Sequence, residues 1–309
     1  MLCTAPQPLR PRPRALWPAP RCSSSNDAQP SPPPSSTAAA GGIRRLVLPP
    51  EGRAKLDPRP DRDFYAFPRL VTHVDDGFIA ALTGLYRERL RAGWDVLDLM
   101  SSWVSHLPPE VQFRRVVGHG LNAQELARNP RLDSFFVKDL NEEQQLALEG
   151  GSFDAVLCTV SVQYLQYPEK VAASLLPFNC CNRQLVIEIL LVGVELIKLT
   201  RILIDFGEVF AEIFRVLKPG GVCIVSFSNR MFYEKAIGAW REGTAYSRVQ
   251  LVTQYFQCVE GFTQPEVVRE LPAAGGSSAS PLDAVMRLFG TASSDPFYAV
   301  ISYRNFKPM

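Results

Sequence analysis

Residues Gly150–Leu165 read GGSFDAVLCTVSVQYL and residues Arg215–Phe227 read RVLKPGGVCIVSF. In the first stretch Gly150-Gly151 breaks the chain, Phe153-Asp154 opens a strand, and Ala155–Cys158 is a short apolar run suited to the centre of a parallel sheet. In the second, a helix ends at Leu217-Lys218, Pro219-Gly220-Gly221 stops it, and Val222–Phe227 starts another strand. The same punctuation extends outward. Asp75–Arg91 carries Phe78, Leu82, Leu85, Tyr86 and Leu90 at helical spacing and stops at Gly93. Val96–Met100 predicts a first strand, Arg115–Gly118 a second, Asn122–Arg128 a short helix and Phe135–Leu140 a third strand, so that Ala155–Cys158 and Val222–Phe227 are the fourth and fifth. Tyr233–Trp240 and Arg248–Phe256 read as helices, and Pro296–Tyr303 alternates like a final strand at a sheet edge. Strands alternating with helices imply a Rossmann-like α/β fold: a three-layer sandwich around a mostly parallel sheet with an antiparallel edge strand.

With 309 residues and 46% apolar content, the chain has room for one large domain plus a tail. The net charge of +2 is set by the first forty residues, where Arg10, Arg12, Arg14 and Arg21 face only Asp27. Without them the balance is about −1, which leaves no basic excess for nucleic acid. None of the seven cysteines forms a C-x-x-C pair, and Cys158 and Cys223 sit inside strand runs, as buried reduced thiols do. His73, His106 and His119 are too far apart in sequence to suggest a zinc site, so no metal is expected.

Residues 1–42 are rich in Pro, Ser and Arg, lack acid before Asp27, and have no secretory apolar core of about 7–15 residues, a composition that fits an organellar transit peptide or an untargeted Pro-rich tail. Residues 43–60 form a Pro-rich linker, and the domain proper spans 61–309. Residues 171–208 read as an insertion. Without them Pro168-Glu169-Lys170 runs straight into Val209–Phe214 as one amphipathic helix. Valine codons begin GT and one glutamate codon ends AG, so a retained in-frame intron is expected here. The rival is a helical insertion, but not a membrane span, because Leu185–Phe206 holds five charges.

Taken together, and leaving out the insertion, Asp63 to Tyr303 resembles the class I S-adenosyl-L-methionine-dependent methyltransferases, in a type 11-like plant group. The resemblance implies methyl transfer from S-adenosyl-L-methionine to a small-molecule acceptor whose identity is open. It also tips the destination of the leader towards the chloroplast, with the mitochondrion as runner-up. Ligands in such sheets bind beyond the carboxyl ends of the strands, where strand order reverses. The family ends its first strand in an acid followed by a glycine-rich loop. Here Val96-Leu97-Asp98 keeps the acid, while Leu99-Met100-Ser101-Ser102-Trp103-Val104 has no glycine. After the second strand the family places a carboxylate for the ribose. Here Gly120 stands there, with Asn122 as a neutral substitute. The resemblance implies cofactor contacts from Asp98, Met100, Ser101, Gly120, Leu121, Asp139, Leu140 and Thr159, with Asp139 on the adenine amino group. Asp154 is expected to be structural.

In-line displacement from a sulfonium needs positioning first and a base only if the acceptor must lose a proton. No catalytic dyad is recognisable. His106 is the base candidate, with a packing role as the alternative. His73 is a candidate cap for the pocket, Trp103 a candidate wall, and Ser228-Asn229-Arg230 a candidate lining for the acceptor side. A second class of function is a catalytically silent relative that binds a ligand or a protein. A dehydrogenase is disfavoured, because no G-x-G-x-x-G follows the first strand.

Overall fold

The computed structural model describes residues 47–168, 209–270 and 295–305. The chain divides into two units, residues 1–37 and 38–309, and every described residue belongs to the second. The expected leader at 1–42 and the insertion at 171–208 lie outside the described residues. Of the expected linker, residues 47–60 are described. Leu48 is buried and Arg53 donates to the Gln166 carbonyl, so this stretch packs on the domain.

Helices α1 (Pro50–Arg53), α2 (Asp61–Phe64) and α3 (Asp76–Arg89) lead into β1 (Asp95–Leu99), β2 (Arg115–Gly120), α4 (Ala123–Ala127), β3 (Ser134–Val137) and β4 (Phe153–Thr159). A 3-10 turn at Val162–Tyr164 follows, then α5 (Val209–Val216), β5 (Leu217–Phe227), α6 (Gly238–Arg241), α7 (Ala245–Gln257), β6 (Glu266–Glu270) and β7 (Phe297–Tyr303). The strands form one sheet in the order β3-β2-β1-β4-β5-β7-β6. β1 to β5 run parallel to one another, and β7 is antiparallel to both β5 and β6. Strand order reverses between β1 and β4, which opens a crevice at their carboxyl ends.

Alternation explains why both faces of the sheet are covered. Leu97, Leu99, Val156, Cys158, Cys223 and Val225 face one core, with Phe210, Ile213, Val252 and Phe256 of α5 and α7. Val96, Ala155, Leu157, Val222 and Ile224 face the other, under Phe78, Leu82, Leu85 and Tyr86 of α3. Each such fully buried side chain contributes about 1.5–3 kcal/mol of transfer free energy. Asp75 caps α3 by accepting from the Phe78 amide at 2.8 Å, the helix-start role that its sequence position suggests. At the amino ends of the strands Asp154 accepts from the Asp95 amide (2.8 Å) and from Lys218 Nζ (2.7 Å), so it is the structural strand-start residue expected.

Several local expectations are corrected. The helix expected over Tyr233–Trp240 is a series of turns with a helix only at Gly238–Arg241. The fully buried Lys235 ammonium is the reason: it donates to the Arg59 carbonyl (2.7 Å) and lies 3.2 Å from Asp57 and 3.5 Å from Asp61. β7 is not at the edge, because β6 pairs outside it. The charged run Glu266-Val267-Val268-Arg269-Glu270 conceals β6 in the sequence, and those same charges suit an unpaired edge. Backbone expected to turn at Pro219-Gly220-Gly221 is extended from Leu217 onward. Within β5, Gly220 still turns at φ 82° where the register against β4 shifts, and its amide donates to the Arg304 carbonyl.

On the carboxyl side of the insertion, α5 begins at Val209. The Phe210 amide donates to the Pro168 carbonyl at 3.3 Å. If 171–208 is left out of the count, that bond has the four-residue spacing of an α-helix. Among the described residues no helix is long and apolar enough to cross a membrane.

Candidate functional site

Where β1 to β4 end, a cleft of ≈ 350 Å³ opens. Its floor comes from the strand ends. Its wall comes from the segment 61–74 and from the loop after β5 at Arg230–Phe232. All eight residues expected to touch the cofactor line this one cleft, as do His106, His73 and Arg230.

The floor is organised by His119, which sequence reading had set aside. The Met100 amide donates to His119 Nδ1 (3.1 Å), and the Ser101 amide to the His119 carbonyl (2.6 Å). Because Nδ1 accepts, Nε2 carries the hydrogen and donates to the Lys138 carbonyl at 2.9 Å. One imidazole thus fastens the ends of β1, β2 and β3. Burial pulls His119 down to about 4, so it is neutral in this role. This clamp fixes the loop after β1 without glycine. Met100 turns at φ 56°, and Ser101 Oγ donates back to Asp98 Oδ2 at 2.7 Å. Burial pushes the Asp98 carboxyl up to about 6, against hydrogen bonds from Ser105 and Ser101.

The loop also explains Gly120. A Cβ there would lie 2.5 Å from the Ser101 carbonyl oxygen, so no side chain fits where the family resemblance implied a carboxylate. Asn122 does not substitute for it, which corrects that expectation. Its Oδ1 caps α4 by accepting from the Gln124 and Glu125 amides, and its Nδ2 donates to the Tyr65 carbonyl. The carboxylate on this side is Glu125, buried on α4. Its Oε1 accepts from the Arg69 amide at 2.6 Å, and burial raises its pKa. Sequence gave no warning, because Glu125 reads as an ordinary residue in the first turn of a helix.

Asp139 is buried at the end of β3, with Oδ1 accepting from the Asn141 amide; burial raises its pKa, and Asp61 and Glu142 add to the rise. Leu121 and Leu140 flank it in the lining. The Thr159 hydroxyl is turned to Tyr86 OH (2.8 Å) and Ser226 Oγ (3.4 Å). Cys158 beneath is no nucleophile, since burial pushes its thiol up to about 12. Among the described non-glycine residues, positive φ occurs at Met100 (56°), His106 (47°) and Val160 (49°), and all three line the cleft. For β-branched Val160 that geometry costs about 1–3 kcal/mol, strain of the kind stored at ligand sites.

His106 lies in a loop, where its carbonyl accepts from Thr83 Oγ1, and its imidazole is half-buried and held neutral by burial. His73 is likewise held neutral, first by burial and then by Arg69, and packs edge-on to Phe232. Trp103 is not part of the lining. Its indole nitrogen donates to the Val71 carbonyl and so ties the loop to the wall segment. The wall itself was illegible in the sequence: Tyr65, Arg69, Tyr164 and Phe232 come from distant segments. Lys55 pairs with Asp61, and Lys235 with Asp57 and Asp61, which fastens these segments together. Among the described residues no group of three His, Cys, Asp or Glu side chains is placed to hold a metal ion.

No protein-family model matches this chain, and neither does any curated protein. Among solved structures it is similar to an S-adenosylmethionine-dependent methyltransferase from Mesorhizobium loti, at 16% identity over 72% of this chain and 96% of that one, TM-score 0.40. It is also similar to a putative S-adenosylmethionine-dependent methyltransferase from Listeria monocytogenes (12% identity, 74% and 100% coverage, TM-score 0.41). A third is the [4+2]-cyclase SpnF (17% identity, 79% and 91% coverage, TM-score 0.39). These likenesses are weak, and the fold stands on the strand order and register.

Proposed function

We propose that the cleft binds S-adenosyl-L-methionine and that the protein transfers its methyl group to a small acceptor. The observation that carries this reading is Asp98, a buried carboxylate at the carboxyl end of β1 where strand order reverses, held by serines beside a loop clamped open by His119. The residues present fit such a cofactor. Asp98 would hold its cationic amino-acid part, Glu125 is the carboxylate available to the ribose diol, and Asp139 with Leu121 and Leu140 suits an adenine. The bound cofactor would supply an electrophilic methyl on a sulfonium. The chain's own contribution is orientation, exclusion of water, and an uncharged imidazole at His106 or His73 for an acceptor that must lose a proton.

Calorimetric titration of the protein with S-adenosylhomocysteine tests this reading. Micromolar binding that Asp98→Asn weakens supports it. No heat at high micromolar ligand, from folded protein, overturns it in favour of a silent relative, a second reading that the absence of room for any side chain at Gly120 keeps open.

We propose too that the working form lacks residues 171–208. The helical spacing of the Pro168–Phe210 bond in the chain without them supports this. Closing a loop of 38 residues costs about 3 kcal/mol, so the shortened protein should unfold at higher temperature by several degrees. An equal or lower midpoint counts against the shorter form. For the leader at 1–42 we propose an organellar transit peptide, on its composition, and the chloroplast as its destination, on the family resemblance alone; a fluorescent fusion of residues 1–60 that stays in the cytosol or enters mitochondria overturns that.

A further inference from the structure

The wall of the cleft contains an arginine that, among the described residues, makes no direct ion pair. Arg69 rests its guanidinium 4.0 Å from the centre of the Phe64 ring and 4.8 Å from that of Phe232, with Tyr65 further off at 5.9 Å. Its Nη2 donates to the Phe64 carbonyl. Among the described residues no carboxylate pairs with this guanidinium, and Nε and Nη1 have no acceptor. The other charges nearby are already matched. Arg230 is paired with Asp295 (2.7 Å), and Asp61 with Lys55 and Lys235. Glu125 accepts from the Arg69 backbone amide and feels the guanidinium charge, without a direct hydrogen bond to it. A guanidinium stacked on rings keeps its donors on its edge, in the fork that matches a carboxylate. Leaving such a charge half-buried and unpaired is costly, and an incoming anion removes that cost.

The surroundings narrow the class further. Tyr65 lines the cleft, and among the described residues its hydroxyl has no hydrogen-bond partner; burial keeps the phenol protonated, hence a donor. Tyr164, Phe232 and His73 give this side flat, mostly apolar surfaces: the rings of Tyr164 and Phe232 lie 6.1 Å apart, and that of His73 lies 5.4 Å from Phe232. Apart from Glu125, which lies beside Arg69, the carboxylates Asp98 and Asp139 sit on the floor, while the guanidinium of Arg69, with donors to spare, sits in the wall.

We propose that the wall is the acceptor subsite and that it takes a flat, aromatic monocarboxylate, its carboxylate on the edge of Arg69 and the Tyr65 hydroxyl, its ring among Phe232 and Tyr164. This rests on the methyl-transfer reading for the term acceptor, but the binding step is measurable without it. The test is titration of the full chain with benzoate and with benzamide, with and without saturating S-adenosylhomocysteine. Benzoate is expected to bind at least tenfold more tightly than benzamide. Arg69→Gln should bring the two within twofold, Arg69→Lys should keep part of the preference, and Tyr65→Phe should lower it about threefold with the fold unaltered. Equal binding of acid and amide, no binding of either, or a preference that survives Arg69→Gln and Tyr65→Phe overturns the proposal. An acid preference without any S-adenosylhomocysteine binding sinks the cofactor reading and leaves this subsite standing. The reverse pattern does the opposite.

Discussion

The floor and the wall of the cleft are built by different means. The floor is a set of strand ends, where Asp98, Gly120 and Asp139 lie at or just beyond the carboxyl ends of β1, β2 and β3 and His119 fastens them. Its positions follow from topology, so its chemistry is tied to the sheet and tolerates little change. The wall is assembled from segments around Tyr65 and Phe232, far apart in sequence and joined by buried ion pairs and ring contacts. What can vary without disturbing the sheet is therefore the wall, which is where substrate choice is expected to reside.

The largest effect should come from adding, at the end of β2, the acid that the sequence resemblance implied. Gly120→Asp places a Cβ 2.5 Å from the Ser101 carbonyl oxygen, and backbone there cannot move without breaking the His119 clamp. A loss of about 3 kcal/mol in denaturant unfolding, together with lost S-adenosylhomocysteine binding, is expected. A gain in affinity would break the comparison at its root.

Next is Asp98→Asn. Losing a charged hydrogen bond should weaken S-adenosylhomocysteine about 10- to 100-fold at pH 7.5 by calorimetry. Yet the variant should be more stable by up to about 3 kcal/mol, because the buried carboxyl, held near 6, is ionised at a cost at neutral pH. The pH dependence has a definite sign. Asp98 has a raised folded pKa, so its favourable contribution is present below about 4 and lost as pH rises through about 6. His119 has a lowered one, so its contribution is present above about 6.5 and lost as pH falls through about 4. In the native protein the two offset across that window. In Asp98→Asn, acid unfolding between pH 6.5 and 4 should steepen. A curve parallel to wild type would show that Asp98 is not the compensating group.

Smaller effects separate floor from wall. Glu125→Gln should weaken 5′-methylthioadenosine about fivefold while barely changing its 2′-deoxy counterpart. Phe232→Leu, in the wall, should leave S-adenosylhomocysteine within twofold. A larger loss would mean that the two parts are not separate subsites.

The sheet was legible because alternation in Val96–Leu99, Ala155–Cys158 and Val222–Phe227 records burial on two faces, and the floor residues follow once the strands end. Asp154 and Asp75 were legible for the same reason, as residues at element starts. What escaped was non-local. Glu125 looks like a helix-surface acid until Arg69 is brought to it. His119 looks like an isolated histidine in a glycine-flanked run, and its role needs the ends of β1 and β3 on either side. Tyr233–Trp240 has a helical pattern that the burial of Lys235 overrides. Val160 at positive φ has no sequence signature at all.

Lys235 also sets a minimum length for the protein's amino end. Its ammonium is sealed from water, and among the described residues its oxygen partners belong to Asp57, Arg59 and Asp61. Any processing protease that trimmed past Asp61 would strand a naked cation in the interior and unroof the crevice. Maturation, wherever it occurs, must therefore stop short of that aspartate.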